Sequence, residues 1–121
     1  MIPNFSNSKI LIIGDVMLDK YYFGSVERIS PEAPVPIVNI SKEESRLGGA
    51  ANVANNIASL GGQTLLCGVI GHDFLGKEVE RITRQKNIRT ILLRTLSPTI
   101  TKARIIGGKQ QIVRVDYADK S

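Results

Sequence analysis

Gly48-Gly49-Ala50-Ala51-Asn52-Val53-Ala54, with Gly61 and Gly71 further on, decides how this 121-residue chain is read. Two glycines run straight into an alanine-rich segment, which sets a glycine turn directly onto a helix start. Glycine lets the backbone come close to a ligand. The N–H groups of a first helical turn lack intrahelical acceptors and carry the positive end of the helix dipole. Asn52 adds a side-chain amide that both donates and accepts, which is what reading a hydroxyl-rich molecule requires. The same glycines also suit close helix packing with no ligand at all, so the stretch alone leaves both readings open.

Working outward, the apolar run Ile10-Leu11-Ile12-Ile13 ends in Gly14 and predicts a strand buried on both faces of a sheet. Its carboxyl end delivers Asp15 and Asp19 onto a strand-to-loop exit, where ligands gather in open α/β sheets. Each carboxylate can accept from neighbouring hydroxyls, or can merely close a turn through its own backbone. Downstream, a helix is predicted over 50–60, with Val53, Ile57 and Leu60 as its buried stripe and Ala50, Ala54 and Ala58 allowing close approach beside it. Gly61-Gly62 ends it. A buried strand follows over 63–70, then an amphipathic helix over 74–87 built on Leu75, Val79 and Ile82, then a strand over 90–93. That order implies a parallel sheet with crossover helices. His72 and Asp73, between the 63–70 strand and the 74–87 helix, suit either a catalytic dyad or, through Asp73, a cap on the second helix.

Two segments interrupt this pattern. Residues 21–40 hold extended stretches limited by Pro31, Pro34 and Pro36, residues that suit sheet edges. Residues 101–106 and 111–116 flank Gly107-Gly108, a hairpin signal. Together they read as a small separate sheet. Lys102 and Arg104 alternate along one of its strands and so project from one face, which suits a phosphate group, Arg104 through its planar fork. Ordinary surface charge is the other reading for both, and the better one for Arg28 and Arg114.

Composition narrows the class. Hydrophobic residues make up 42% and charged residues 22%, with 16 Lys and Arg against 11 Asp and Glu, as in one soluble globular domain. The net charge of +5 is scattered along the chain, which argues against a nucleic-acid partner and can help steer anionic substrates. The one cysteine, Cys67, lies in an apolar run and reads as a buried, inert thiol. No secretory signal and no apolar run of about 20 residues is present, so a cytoplasmic protein without a membrane partner is expected. No cluster has metal-ligand spacing, and neither a Walker A loop nor a dinucleotide fingerprint occurs.

The spacing from Gly48-Gly49 through Asn52, Ala54 and Gly61 to Gly71 resembles the first signature of the ribokinase-like carbohydrate kinases, the phosphofructokinase B family. Gly14-Asp15-Val16-Met17-Leu18-Asp19, Arg28-Ile29-Ser30-Pro31-Glu32-Ala33-Pro34-Val35-Pro36 and Thr99-Ile100-Thr101-Lys102 look like the branch of that family that phosphorylates heptose 7-phosphate. In many bacteria that branch forms the N-terminal half of a bifunctional heptose kinase and ADP-heptose synthase. The resemblance runs from residue 10 to residue 116. It implies an α/β, ribokinase-like fold in which lid strands at about 21–40 and 101–116 cover the sugar site and often form a dimer contact. It also implies Asp19, Gly48, Gly49 and Asn52 as sugar-binding residues, Asp15 beside them, and Lys102 with Arg104 toward the substrate's phosphate.

The implied reaction moves the γ-phosphoryl of ATP, with Mg²⁺, to the anomeric hydroxyl of D-glycero-β-D-manno-heptose 7-phosphate. The product is the 1,7-bisphosphate of ADP-heptose and lipopolysaccharide core biosynthesis. Domains of this family are more than twice as long and keep their catalytic base and nucleotide site in a Gly-Ala-Gly-Asp type motif near the C-terminal end. No such motif occurs here. Residues 1–121 are therefore expected to be the N-terminal part of one kinase domain with its C-terminal half missing, holding no ATP or Mg²⁺ and showing no turnover alone. A small sugar phosphate and a second copy of the chain, met through the lid strands, are the expected partners. Another ribokinase-like sugar kinase, or a non-catalytic binding or dimerisation module, are the competing readings.

Overall fold

Nine elements alternate along the chain in a computed structural model that describes residues 8–29, 31–32 and 34–118, the side chains of Arg28 and Ile29 excepted. They are β1 (Lys9–Ile13), β2 (Val16–Ile29), β3 (Pro36–Gly49), α1 (Ala50–Ser59), β4 (Gln63–Gly71), α2 (Phe74–Gln85), β5 (Arg89–Thr95), β6 (Ile100–Gly107) and β7 (Gln110–Tyr117). The crossover pattern read from the sequence produces a parallel sheet in the order β1-β4-β5, with Ile13 level with Cys67 and Cys67 level with Ile91. The remaining strands form a second sheet in the order β3-β2-β6-β7. There β2 runs antiparallel to β3 and parallel to β6, and β6 turns back into β7 through the hairpin at Gly108. The strands are longer than the segments that suggested them, since β2 begins at Val16 and β3 reaches Gly49.

Both helices end in the same backbone device. Past α1 the N–H groups of Gly61 and Gly62 donate to Ala58 and Ile57 carbonyls, and past α2 those of Asn87 and Ile88 donate to Arg84 and Thr83. These are paired Schellman bonds, with Gly61 and Asn87 in the left-handed region. Ile88, next in the chain, is buried in the core. At its start α2 is capped by Asp73, whose Oδ1 accepts from the Gly76 N–H at 2.8 Å. Asp73 also accepts from the Thr99 N–H at 2.9 Å and the Thr99 hydroxyl at 2.6 Å, while Thr99 Oγ1 accepts from Gly71 N–H at 2.9 Å. This knot ties the β4–α2 turn to the approach of β6.

The core lies between the parallel sheet, the two helices and the inner half of the second sheet. Val16, Leu18, Leu47, Ala51, Ala54, Leu66, Ile70, Val79 and Ile82 form it, and full burial of a side chain such as Leu18 or Leu66 contributes about 1.5–3 kcal/mol. Three expectations are corrected here. The helix α1 buries Ala51 and Ala54, whereas Val53 is 48% and Leu60 59% exposed. Small residues let the helix axis come close to the strands, and the larger ones point away. Strand β1 is buried on one face only, with Ile13 76% exposed. Ile12, Leu66, Ile70 and Leu92 face the helices, while Leu11, Ile13, Val69, Ile91 and Leu93 lie on the opposite face, which no described element covers. Cys67 shares that open face and is half-buried, not buried.

A charged contact fastens the second sheet to α2. Lys20 Nζ lies 3.1 Å from both carboxylate oxygens of Glu78, with the two side chains only 9% and 11% exposed. The Ser45 hydroxyl accepts from Lys20 at 3.1 Å and donates to Glu78. Thus β2, β3 and α2 meet at one polar point inside an otherwise apolar layer.

Candidate functional site

Strand alternation puts Met17, Asp19, Tyr21 and Phe23 on the face of β2 opposite to Leu18 and Lys20. Cross-strand register adds Gly48, Arg46 and Glu44 from β3 and Lys102 and Arg104 from β6 to that same face. The sequence placed Asp15 and Asp19 together at a strand exit. In the structure only Asp15 is there. Because β2 begins at Val16, Asp19 lies inside a strand, held by its neighbours on both sides.

Glycine is required at Gly49 and eases packing at Gly48, at the junction of β3 and α1. Gly49 has φ +57°, and a Cβ there would stand 2.4 Å from the Asp15 carbonyl oxygen. That carbonyl accepts from the Ala50 N–H at 2.8 Å, so the backbone of Asp15, not its carboxylate, secures the helix start. No side chain caps α1, which leaves the N–H groups of Ala51 and Asn52 without intrahelical acceptors. At Gly48 a Cβ would sit 3.1 Å from Asp19 Oδ2. The missing side chain lets the carboxylate lie against the strand.

A cavity of about 540 Å³ opens at this junction, lined by Asp19, Tyr21, Arg46, Gly48, Gly49, Asn52, Asn55 and Lys86 among others. Its size suits a small polar ligand. Four residues singled out in the sequence, Asp19, Gly48, Gly49 and Asn52, thus meet in one place. Asp15 does not line the cavity. Arg104 reaches Asp19 Oδ1 at 3.2 Å and lies 3.5 Å from the Tyr21 hydroxyl, and Lys102, level with Asp19, stands on the same face, but neither is among the residues that line the cavity. Arg114 pairs with Asp116 at 2.9 Å on the exposed outer strand, and the Arg28 side chain lies outside the described residues. Lys42 and Arg46 beside Glu44 hold its carboxyl below the usual range. A slightly larger cavity, about 600 Å³, lies at the amino-terminal ends of β1, β4 and β5, the end away from which α/β sites open.

Sequence reasoning missed Tyr21, Arg46 and Asn55. Asn55 follows Asn52 at helical spacing and Tyr21 follows Asp19 at strand spacing, so two signals were present. Arg46 had none, since only register brings it level with Asp19. Among the described residues no three His, Cys, Asp or Glu side chains converge in a way that suits a metal ion.

The profile described as "pfkB family carbohydrate kinase" matches residues 7–120. The chain is 51% identical over 113 residues to a D-beta-D-heptose 7-phosphate kinase of Bordetella bronchiseptica, covering 93% of this chain and 36% of that protein. It is 49% identical over 118 residues to the bifunctional protein HldE of Actinobacillus pleuropneumoniae serotype 5b, covering 97% of this chain and 25% of that one. The chain therefore spans between a quarter and just over a third of these relatives. In fold it is similar to a carbohydrate kinase from Agrobacterium tumefaciens, with a TM-score of 0.73 at 22% identity over 90% of this chain and 35% of that one. It is also similar to the ribokinase of Cryptococcus neoformans in complex with ADP, with a TM-score of 0.62 at 23% identity over 91% of this chain and 34% of that one.

Proposed function

Because the chain belongs to the pfkB family of carbohydrate kinases, we propose that it supplies the sugar-binding face of a kinase acting on a heptose 7-phosphate. The observation that carries this reading is the convergence of Asp19, Gly48, Gly49 and Asn52 around one cavity on the carboxyl side of β1. Asp19 Oδ2 accepts from sugar hydroxyls while Oδ1 stays with Arg104. Asn52 both donates and accepts at the start of α1, and Lys102 and Arg104 face the phosphate at the far end of the sugar. Phosphoryl transfer depends on positioning and charge stabilisation, and this face serves the positioning. The names of the relatives support the heptose phosphate as substrate.

In the whole kinase ATP with Mg²⁺ supplies the phosphoryl group, and the anomeric hydroxyl receives it, as a step toward ADP-heptose. The described residues offer no carboxylate cluster that fits Mg²⁺, so no step at the nucleotide is assigned to them. We place this work in the cytoplasm; no described helix is long and apolar enough to cross a membrane. The second sheet acts as a lid, and its outer apolar residues Val26, Val38, Ile40, Ile105, Val113 and Val115 favour pairing with a second copy. A cavity of about 530 Å³ lined by Val38, Ile40, Ile105 and Val113 supports that contact.

Thermal unfolding of the purified chain with D-glycero-β-D-manno-heptose 7-phosphate, against ribose as control, tests the reading. Ligand at about 100 times its dissociation constant adds about 2.7 kcal/mol. A rise specific to the heptose phosphate supports the proposal. A cooperative melt that no sugar moves refutes sugar binding by this face, and a dimer in sedimentation would then favour the interaction module.

A further inference from the structure

Two guanidinium groups from different strands converge on one aromatic ring of the ligand face. Arg46 of β3 stands over Tyr21 with its Cζ 4.6 Å from the ring centroid, and Arg104 of β6 stands at 5.4 Å. Tyr21 belongs to β2, the strand between those two. Its ring is braced in turn by Phe23, stacked at 6.2 Å and 11°, and Phe23 carries Lys42 at 5.7 Å. Among the described residues each guanidinium has one carboxylate partner, Glu44 at 2.9 Å for Arg46 and Asp19 at 3.2 Å for Arg104. An arginine has five N–H donors and a carboxylate engages at most two of them. Both groups therefore keep donors for a ligand, and the Arg46 side chain is 62% exposed beside the cavity it lines.

We propose that Tyr21 is a positioning residue that holds Arg46 and Arg104 as a paired grip for the substrate's anionic group, and so sets the preference for a phosphorylated over an unphosphorylated sugar. This rests on the sugar-phosphate reading above. The ring does the holding, because a guanidinium plane is attracted to an aromatic face whether or not the ring bears a hydroxyl. Asp19 and Glu44 prevent the two cations from repelling each other. A phosphate that meets them exchanges water for charge-assisted hydrogen bonds from guanidinium groups already held in place.

The test titrates the 121-residue chain with heptose 7-phosphate, the unphosphorylated heptose and inorganic phosphate, in wild type, Tyr21→Phe, Tyr21→Leu and Arg46→Gln. Tyr21→Phe is expected to keep the wild-type preference within about twofold, whereas Tyr21→Leu and Arg46→Gln lose about tenfold or more for the phosphorylated sugar only. Equal losses for both sugars in Tyr21→Leu would show a general structural role and overturn the proposal, as would a Tyr21→Phe loss matching that of Tyr21→Leu. Should Tyr21→Leu fail to fold, the exposed Arg46→Gln decides in its place, and unchanged discrimination in it refutes the grip. If the wild type binds neither sugar, the functional reading falls separately. Inorganic phosphate then judges the grip, which stands if phosphate raises the melting temperature of wild type and Tyr21→Phe but not of Tyr21→Leu or Arg46→Gln, and falls if all respond alike.

Discussion

Replacing Lys20 by Met removes one half of the polar point that joins β2, β3 and α2. The methionine fills similar space but leaves the Glu78 carboxylate, 11% exposed, with the Ser45 hydroxyl and with Arg81 at 3.7 Å. Removing one partner of a buried pair costs about 3–5 kcal/mol. Arg81 and Ser45 relieve part of that, so the expected loss is about 2–3 kcal/mol. Replacing Glu78 by Leu as well removes the stranded charge, and the double variant is expected within about 1 kcal/mol of wild type. Equilibrium unfolding in urea measures this directly. With a slope of about 1–3 kcal/mol per molar, the single variant lowers the midpoint by about 0.7–3 M at unchanged slope. A single variant within about 0.5 kcal/mol of wild type, the ordinary range of surface changes, or a double variant no better than the single, would refute the argument that this charge is paired and desolvated.

The remaining predictions concern the two junctions. Asp73 is opposed by partial burial, yet hydrogen bonds from the Thr99 hydroxyl, Thr99 N–H and Gly76 N–H together hold its carboxyl below the ordinary aspartate range. Its contribution is therefore full above the unfolded value of about 3.9 and is lost as pH falls through the lower folded value. Asp73→Ala is expected to cost about 1–3 kcal/mol at neutral pH and to lose stability less steeply than wild type on acidification, as pH-dependent melting would reveal. Gly49→Ala meets both a left-handed backbone and an oxygen 2.4 Å away, whereas Gly61→Ala meets a positive φ with no atom of the described residues within 4 Å. The first is expected to cost more than the roughly 1–2 kcal/mol of the second and to weaken sugar binding, while Gly61→Ala leaves binding intact; melting and titration compare them.

Local signals were strong wherever a short stretch determines its own shape. The apolar run at Ile10, the glycine stop after α1 and the Gly107-Gly108 turn were all legible, because propensity and turn chemistry act over a few residues. What lay beyond reading was pairing. Nothing in Glu44-Ser45-Arg46 announces that Arg46 will stand level with Asp19, and nothing in Arg104 announces Tyr21. The α1 stripe was misread because hydrophobicity was weighed above size: alanines face the sheet, where backbones come close. The double burial of β1 was misread because apolar runs report on the chain's tendency to be covered, and among the described residues only one face has a cover.

Asp19 meets Arg104 across 85 positions of sequence, and β2 has β3 on one edge and β6 on the other. As the chain leaves the ribosome, β2 and β3 can pair at once, but the far edge of β2 stays bare until β6 has been made. Non-local pairing of this kind is slow, and a bare strand edge is a template for the wrong partner. The residues that line the cavity, none later than Lys86, are all made before β6, and only the Asp19–Arg104 contact beside it waits for that strand. The pairing that covers the open edge of β2 and the contact that holds Asp19 are therefore completed together, by one strand.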